Sequence, residues 1–207
     1  MRKIFLLLMI FMIASVQNCF AATIEAKYFN GDEKLAYPVV SSGDEAIDRE
    51  INVKIIAEVD RFLTGVYRNA QINGYKVADA RTSYEVGSNQ AGGTIILSII
   101  MTESSFYEMA THPSTWKHAL NFNLANGEQI GKNYLLEVGS GVSESDFIER
   151  LEQKLREKKI LLFEDALPLK KLPEDFYWDE NLHLHFIFQH YEVAPYAAGI
   201  IDVDIDA

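Results

Sequence analysis

Apolar residues recur at Ile47, Ile51, Ile55, Val59, Phe62 and Val66, in steps of four and three. That spacing lays one apolar stripe along a helix, because residues three and four apart share a face. Asp48, Glu50, Glu58 and Arg61 fall on the other side. Ser42, with Glu45 three residues on, predicts a capping box at the start, and the helix is expected to run to about Ala70. A second helix is expected near Ser143, where Asp146 completes a capping box and Phe147, Ile148, Leu151, Leu155 and Ile160 supply the stripe.

The remaining pattern is of strands. Thr23 to Asn30 alternates weakly and ends in the turn Asn30-Gly31-Asp32. Leu35 to Val40 is a short extended piece in which Pro38 marks an edge or a bulge. Tyr75 to Val86 is extended, and Gly87 to Gly93 is a glycine-rich connection. Thr94 to Thr102 is apolar on both faces and β-branched, as suits a buried central strand; the two runs predict a hairpin. His118 to Leu124 alternates up to an Asn126-Gly127 turn, and Gln129 to Leu136 leads away from it. Leu167 to Glu174 holds two prolines and reads as a connector. Leu182, Leu184, Phe186 and Phe188 share one face of a strand running to Gln189. Ile201, Val203 and Ile205 face one way on a last strand, with Asp202, Asp204 and Asp206 opposite. Strands in hairpins with two separated helices predict an α+β fold, with a mostly antiparallel sheet packed by one long helix and a shorter second one.

The first 21 of the 207 residues change the composition. Arg2 and Lys3, the apolar run Ile4 to Ala14, and Cys19-Phe20-Ala21 have the layout of a secretory signal peptide cleaved after Ala21. An exported chain, periplasmic or extracellular, is therefore expected. Acylation of Cys19 as a lipoprotein is the alternative, although Gln17 and Asn18 fit a lipobox poorly. Loss of the leader removes Arg2 and Lys3 and takes the formal charge from −11 to −13. It also removes the sole cysteine, which rules out disulfides, thiolate chemistry and Cys-ligated metals in the mature chain. So acidic a protein is ill suited to nucleic acid or anionic membranes. No later apolar run is long enough to span a bilayer. The mature chain is read as one interlocked unit with an N-terminal part, 22–105, and a C-terminal part, 106–207.

Few residues suggest chemistry, and no cofactor motif is present. His183 and His185 share a strand face at a metal-ligand spacing, which makes a metal-assisted envelope hydrolase the alternative reading; a solvated strand face is the plainer one. Asp202, Asp204 and Asp206 are spaced too widely on a straight strand for a calcium cage and are expected to be a solvated edge. Gly139-Ser140-Gly141 lacks the lysine and spacing of a phosphate-binding loop. The segment Tyr191-Glu192-Val193-Ala194-Pro195-Tyr196-Ala197-Ala198-Gly199 differs from these. Pro195 biases Ala194 toward extended geometry and Gly199 permits a bulge, so a rigid corner presenting Tyr191 and Tyr196 is expected. Such a corner is either a structural feature with its hydroxyls bonded internally or a binding surface, since rigid tyrosines give contact area at low entropic cost.

Phe188 to Gly199 resembles the motif F-x-x-Y-E-[IV]-A-P-Y-A-x-G of a bacterial envelope family, domain of unknown function 3298, usually preceded by domain 4163. Ala110-Thr111-His112-Pro113 and Leu120 to Gly127 are similar to that family's A-H-P and N-F-D-L-x-T-G stretches. Asn123 stands where the family commonly has aspartate, which weakens any role needing a carboxylate there. Tyr37-Pro38 and the helix with Asn52 resemble the upstream domain. Relatives include the extracellular part of a lysozyme-sensing anti-sigma factor and the accessory region of peptidoglycan deacetylases. The resemblance implies a binding or sensing module rather than a catalytic unit. The short stretch before the h-region leads us to expect a free-standing exported form. Its ligand would be a basic, lysozyme-like protein, which the acidic surface suits, or peptidoglycan. The expected site is Tyr191, Glu192, Pro195, Tyr196 and Gly199, with His112.

Overall fold

A computed structural model describes residues 21–90, 95–138 and 142–207. The leader, Cys19 and Gly139-Ser140-Gly141 lie outside the described residues.

The long helix, α1 (Glu45–Asn73), forms where the stripe predicts it, and Ile51, Ile55, Val59, Phe62, Val66 and Ala70 are its buried residues. Its start differs from expectation. Asp44, not Ser42, is the N-cap, accepting from the N–H groups of Ala46 and Ile47. Ser42 instead donates its N–H and hydroxyl to Asp48 Oδ1, both at 2.6 Å. Gly43 causes the shift: with φ +95 it turns the chain so that Asp44 reaches the first free N–H groups. Gly74 caps the helix in the left-handed conformation, and its last residue, Asn73, lies three residues beyond the expected Ala70.

The helix lies on a three-stranded antiparallel sheet, β3 (Val77–Asn89), β4 (Ile96–Tyr107) and β5 (Ser114–Asn123), with β4 in the middle. The apolar β4 is thus the buried central strand that its composition predicts. Leu97, Ile99 and Met101 of β4 and Leu120 and Phe122 of β5 join the helix stripe in one core. A two-stranded antiparallel ribbon, β1 (Thr23–Tyr28) and β2 (Ala36–Ser41), is tied to α1 because Asn52 bonds both the N–H and the C=O of Val40 at 2.8 Å. This middle sheet straddles residue 105, where sequence reading divides the two parts.

A second core gathers around β6 (Asp175–Trp178), β7 (Leu184–Phe188) and β8 (Ile201–Asp204), also antiparallel. Phe147, Leu151 and Leu155 of the helix α3 (Glu144–Glu157) pack with Phe176, Phe186, Phe188 and Val203. The capping box of Ser143 and Asp146 is present as predicted. Ile160 lies beyond the end of α3. The stretch read as leading away from the Asn-Gly turn contains a short helix, α2 (Lys132–Val138); two turns are too few for a periodic stripe to show. Strand β7 starts at Leu184, because Leu182 sits in a turn with φ +65.

The two three-stranded sheets meet through side chains. Asn121 on β5 donates from Nδ2 to the Phe176 C=O at 2.7 Å and accepts from the Ser98 hydroxyl at 2.7 Å. Ser98 in turn accepts from the Trp178 N–H at 3.1 Å. Nearer the surface, Gln189 bonds both the N–H and the C=O of Lys117, and Asp175 accepts from the Ala119 N–H. Strand β6 thus runs beside the middle sheet on a ladder made by four polar side chains. Gly87 permits this closeness: a Cβ there would stand 2.4 Å from the Trp178 carbonyl oxygen. Gly87→Ala is therefore expected to lose about 1–3 kcal/mol, whereas Gly131→Ala, where a Cβ meets nothing within 4 Å, should leave the unfolding midpoint nearly unchanged.

Candidate functional site

The Tyr191–Gly199 corner connects β7 to β8. Val193 and Ala194 are buried in the second core and anchor it. The tight turn before them is closed by the Glu192 N–H donating to the Gln189 C=O and by the Gln189 N–H donating to Glu192 Oε2. Tyr191 takes φ +64 at the tip of this turn and is 57% exposed. A non-glycine residue in that region is strained and is held there by its surroundings.

Tyr196 begins a single 3-10 turn after Pro195, and its ring lies between two histidines. The His112 ring stacks on it at 4.0 Å between centroids and the His190 ring at 4.3 Å; Tyr191 leans on it at 5.7 Å. Its hydroxyl donates to the Pro113 C=O at 3.2 Å. The chain thus brings His112, from the β4–β5 connection, onto the expected tyrosine corner. Burial, with His112 nearby, holds the His190 imidazole below its ordinary pKa and so favours its uncharged form beside Tyr196. Gly199 follows with φ +75, where glycine avoids the Cβ penalty.

In the second expected feature the histidines of β7 and the turn before it face aspartates of β8 through Nδ1, while His185 Nε2 is buried without a hydrogen-bond partner among the described residues. His183 Nδ1 faces Asp204 Oδ2 at 3.1 Å, and His185 Nδ1 faces Asp202 Oδ1 at 2.7 Å. Tyr177 donates its hydroxyl to Asp202 at 2.6 Å and stacks on His185. Burial lowers the pKa of His185, but the bond to Asp202 and the nearby aspartates outweigh it and raise the group. Asp206 accepts from the Leu184 N–H. The three aspartates are therefore not an idle solvated edge. Antiparallel β7 and β8 set them against the histidines and the start of β7.

A third cluster is absent from the sequence reading. Along β4 the face that meets α1 changes character: Leu97, Ile99 and Met101 are followed at the same parity by Glu103, Ser105 and Tyr107. On β5, Trp116 is paired with Glu103 and His118 with Met101. Where the shared face turns polar, a cleft of about 460 Å³ opens between helix and sheet. Glu103, only 2% exposed, lies at its base. Arg61 reaches Glu103 at 3.1 Å and grips Glu58 at 2.7 Å. His118 stands 3.7 Å from Glu103 through Nε2 and 3.4 Å from Asp175 through Nδ1. Burial pushes the Glu103 carboxyl up to about 7, against the pull of Arg61 and His118. Burial also works against the charged form of His118, but Asp175 and Glu103 raise its pKa overall.

Among the described residues, one group of potential metal-ligating side chains converges: Glu58, Glu103 and His118, with one ligand atom from each within 4.8 Å of the others. Arg61 already supplies a positive charge to both glutamates. The signal that could locate this cluster is the apolar-to-polar switch on one face of β4. Its partners are far away in the chain, and sequence spacing alone does not join them.

Fold and clusters together define an α+β protein with two cores and an exposed tyrosine corner. Residues 115–207 match the family described as "Protein of unknown function (DUF3298)", which includes the corner. Two solved structures share the fold. A member of the DUF3298 family from Bacteroides fragilis NCTC 9343 is 14% identical with a TM-score of 0.54, covering 88% of this chain and 87% of its own. A DUF3298 family protein from Pseudomonas aeruginosa PAO1 is 11% identical with a TM-score of 0.54, covering 89% and 87%. No curated protein matches the chain. No helix among the described residues is long and apolar enough to cross a membrane.

Proposed function

We propose that this is an exported cell-envelope protein that binds or senses a partner and does no catalysis, with the Tyr191–Gly199 corner as its contact surface. One observation carries the reading: Tyr196 is clamped between two histidine rings while Tyr191 stays more than half exposed beside it. A prearranged aromatic surface loses little entropy on binding. The partner class is a basic, lysozyme-like protein, supported by the −13 formal charge left once Arg2 and Lys3 go with the leader; peptidoglycan is the alternative ligand. Residues 22–105 are proposed to correspond to domain 4163, and residues 1–21 to a leader removed on export. A metal-assisted hydrolase at His183 and His185 gains less support, because among the described residues the potential ligand atoms that converge within 4.8 Å belong to Glu58, Glu103 and His118 instead.

The test is retention of the protein on immobilised lysozyme and on insoluble peptidoglycan at low salt. Retention by lysozyme is expected, with Tyr191→Ala weakening it by about tenfold or more and leaving the melting temperature unchanged. Retention by neither matrix removes this reading.

A further inference from the structure

We infer that the cleft between α1, β4 and β5 is a second binding site, separate from the tyrosine corner, for an uncharged polyhydroxylated ligand of the sugar-ring type. Its size falls within the usual range for small-ligand sites. Its polar groups are mixed in kind. Arg61 and Asn69 offer N–H donors, Glu103 offers acceptor oxygens, and His118 and Ser105 can do either. A cation entering here meets Arg61 and His118; an anion meets Glu103. A neutral ligand that both donates and accepts, as sugar hydroxyls do, escapes both conflicts. Trp116, 39% exposed at the cleft, gives an apolar ring face for the C–H side of a sugar.

A further observation points to a ligand. Gly65 stands inside the 29-residue helix α1 and lines the cleft. Glycine weakens a helix interior, yet a Cβ at Gly65 would meet nothing within 4 Å. Packing therefore does not demand this glycine; what it leaves open is the cleft wall. Tyr107 also borders a second, separate hollow of about 590 Å³ edged by Tyr75 and Met109. Tyr107 is fixed as the divider, its hydroxyl donating to the Val66 C=O and accepting from Asn69 Nδ2. A divalent ion at Glu58, Glu103 and His118 would first have to displace Arg61, and it would leave the aromatic wall without a role.

The experiment is a titration with tetra-N-acetylchitotetraose, cellotetraose and maltotetraose, following tryptophan emission and binding heat. A saturable change with at least one of them is expected. Trp116→Ala and Gly65→Leu should each weaken it by about tenfold or more, with Gly65→Leu melting at or above the wild-type temperature. The Gly65 variant keeps the test clear of misfolding, since it adds a good helix former to open space. No saturable change with any of the three sugars at millimolar concentration overturns the assignment. So does undiminished binding in both variants.

Discussion

Raising the pH from 5 to 8 is expected to cost the fold about 2.5 kcal/mol through Glu103 alone. The carboxyl is almost fully buried, and its pKa in the folded state is raised from 4.5 to about 7. The folded state therefore holds this proton more tightly than the unfolded chain. The advantage is full below about pH 4.5, shrinks as pH rises, and is gone above about 7. His118 and His185, both raised by neighbouring carboxylates, act in the same direction; His190, held low, acts against them. On the acid side, Asp179, Asp202 and Asp204 are lowered by their hydrogen bonds against the effect of burial. Their contribution is present above the ordinary carboxylate range and is lost as pH falls below it. Greatest stability is therefore expected near pH 5. Urea unfolding at pH 5 and pH 8 measures the slope. Glu103→Gln, which imitates the protonated acid, should be more stable than wild type at pH 8 and remove most of the difference. An unchanged slope in that variant would sink this account of the cleft's electrostatics.

The next largest effect is expected from Asn121→Ala. Asn121 is 1% exposed, and Ser98 is fully buried. The substitution strips the Phe176 carbonyl of its donor and the Ser98 hydroxyl of its acceptor, in a place water does not reach. Leaving two buried polar groups short of partners costs about 2–4 kcal/mol in total, a fall in melting temperature of roughly 5–15 °C. Ser104→Ala is the comparison. Its partner Thr115 is 3.2 Å away in a half-buried pair, so its effect should stay within about 0.5 kcal/mol. If the two variants melt alike, the side-chain ladder does not hold the sheets together.

These two effects arise from features the sequence hides. Local pattern was informative where one element decides its own fate. The stripe from Ile47 to Val66, the capping box at Ser143 and the alternation of Ile201, Val203 and Ile205 each reappear, because helix and strand periods depend on neighbours a few residues away. Ser98 and Asn121 look in the sequence like stray polar residues in apolar strands. Their meaning depends on Phe176 and Trp178, more than fifty residues later. The cap moved from Ser42 to Asp44 because a positive φ at Gly43 redirects the chain, and periodicity carries no trace of that angle. Asp202 and Asp204 read as solvent-facing from alternation alone; the register of β7 against β8 is what gives them to the histidines. The corner was visible because Pro195 constrains the backbone and Gly199 permits a positive φ, both local effects. The stacking of His112 on Tyr196 was not, since it joins two loops.

The central claim is that the corner is a contact surface rather than only a brace between β7 and β8. Titration calorimetry of the protein with lysozyme, wild type against Tyr191→Ala, tests it most directly. The account predicts saturable binding at low salt that weakens as salt screens the opposite charges. It also predicts a loss of about tenfold or more in Tyr191→Ala, with no change in melting temperature. Equal affinity in the two proteins would contradict it.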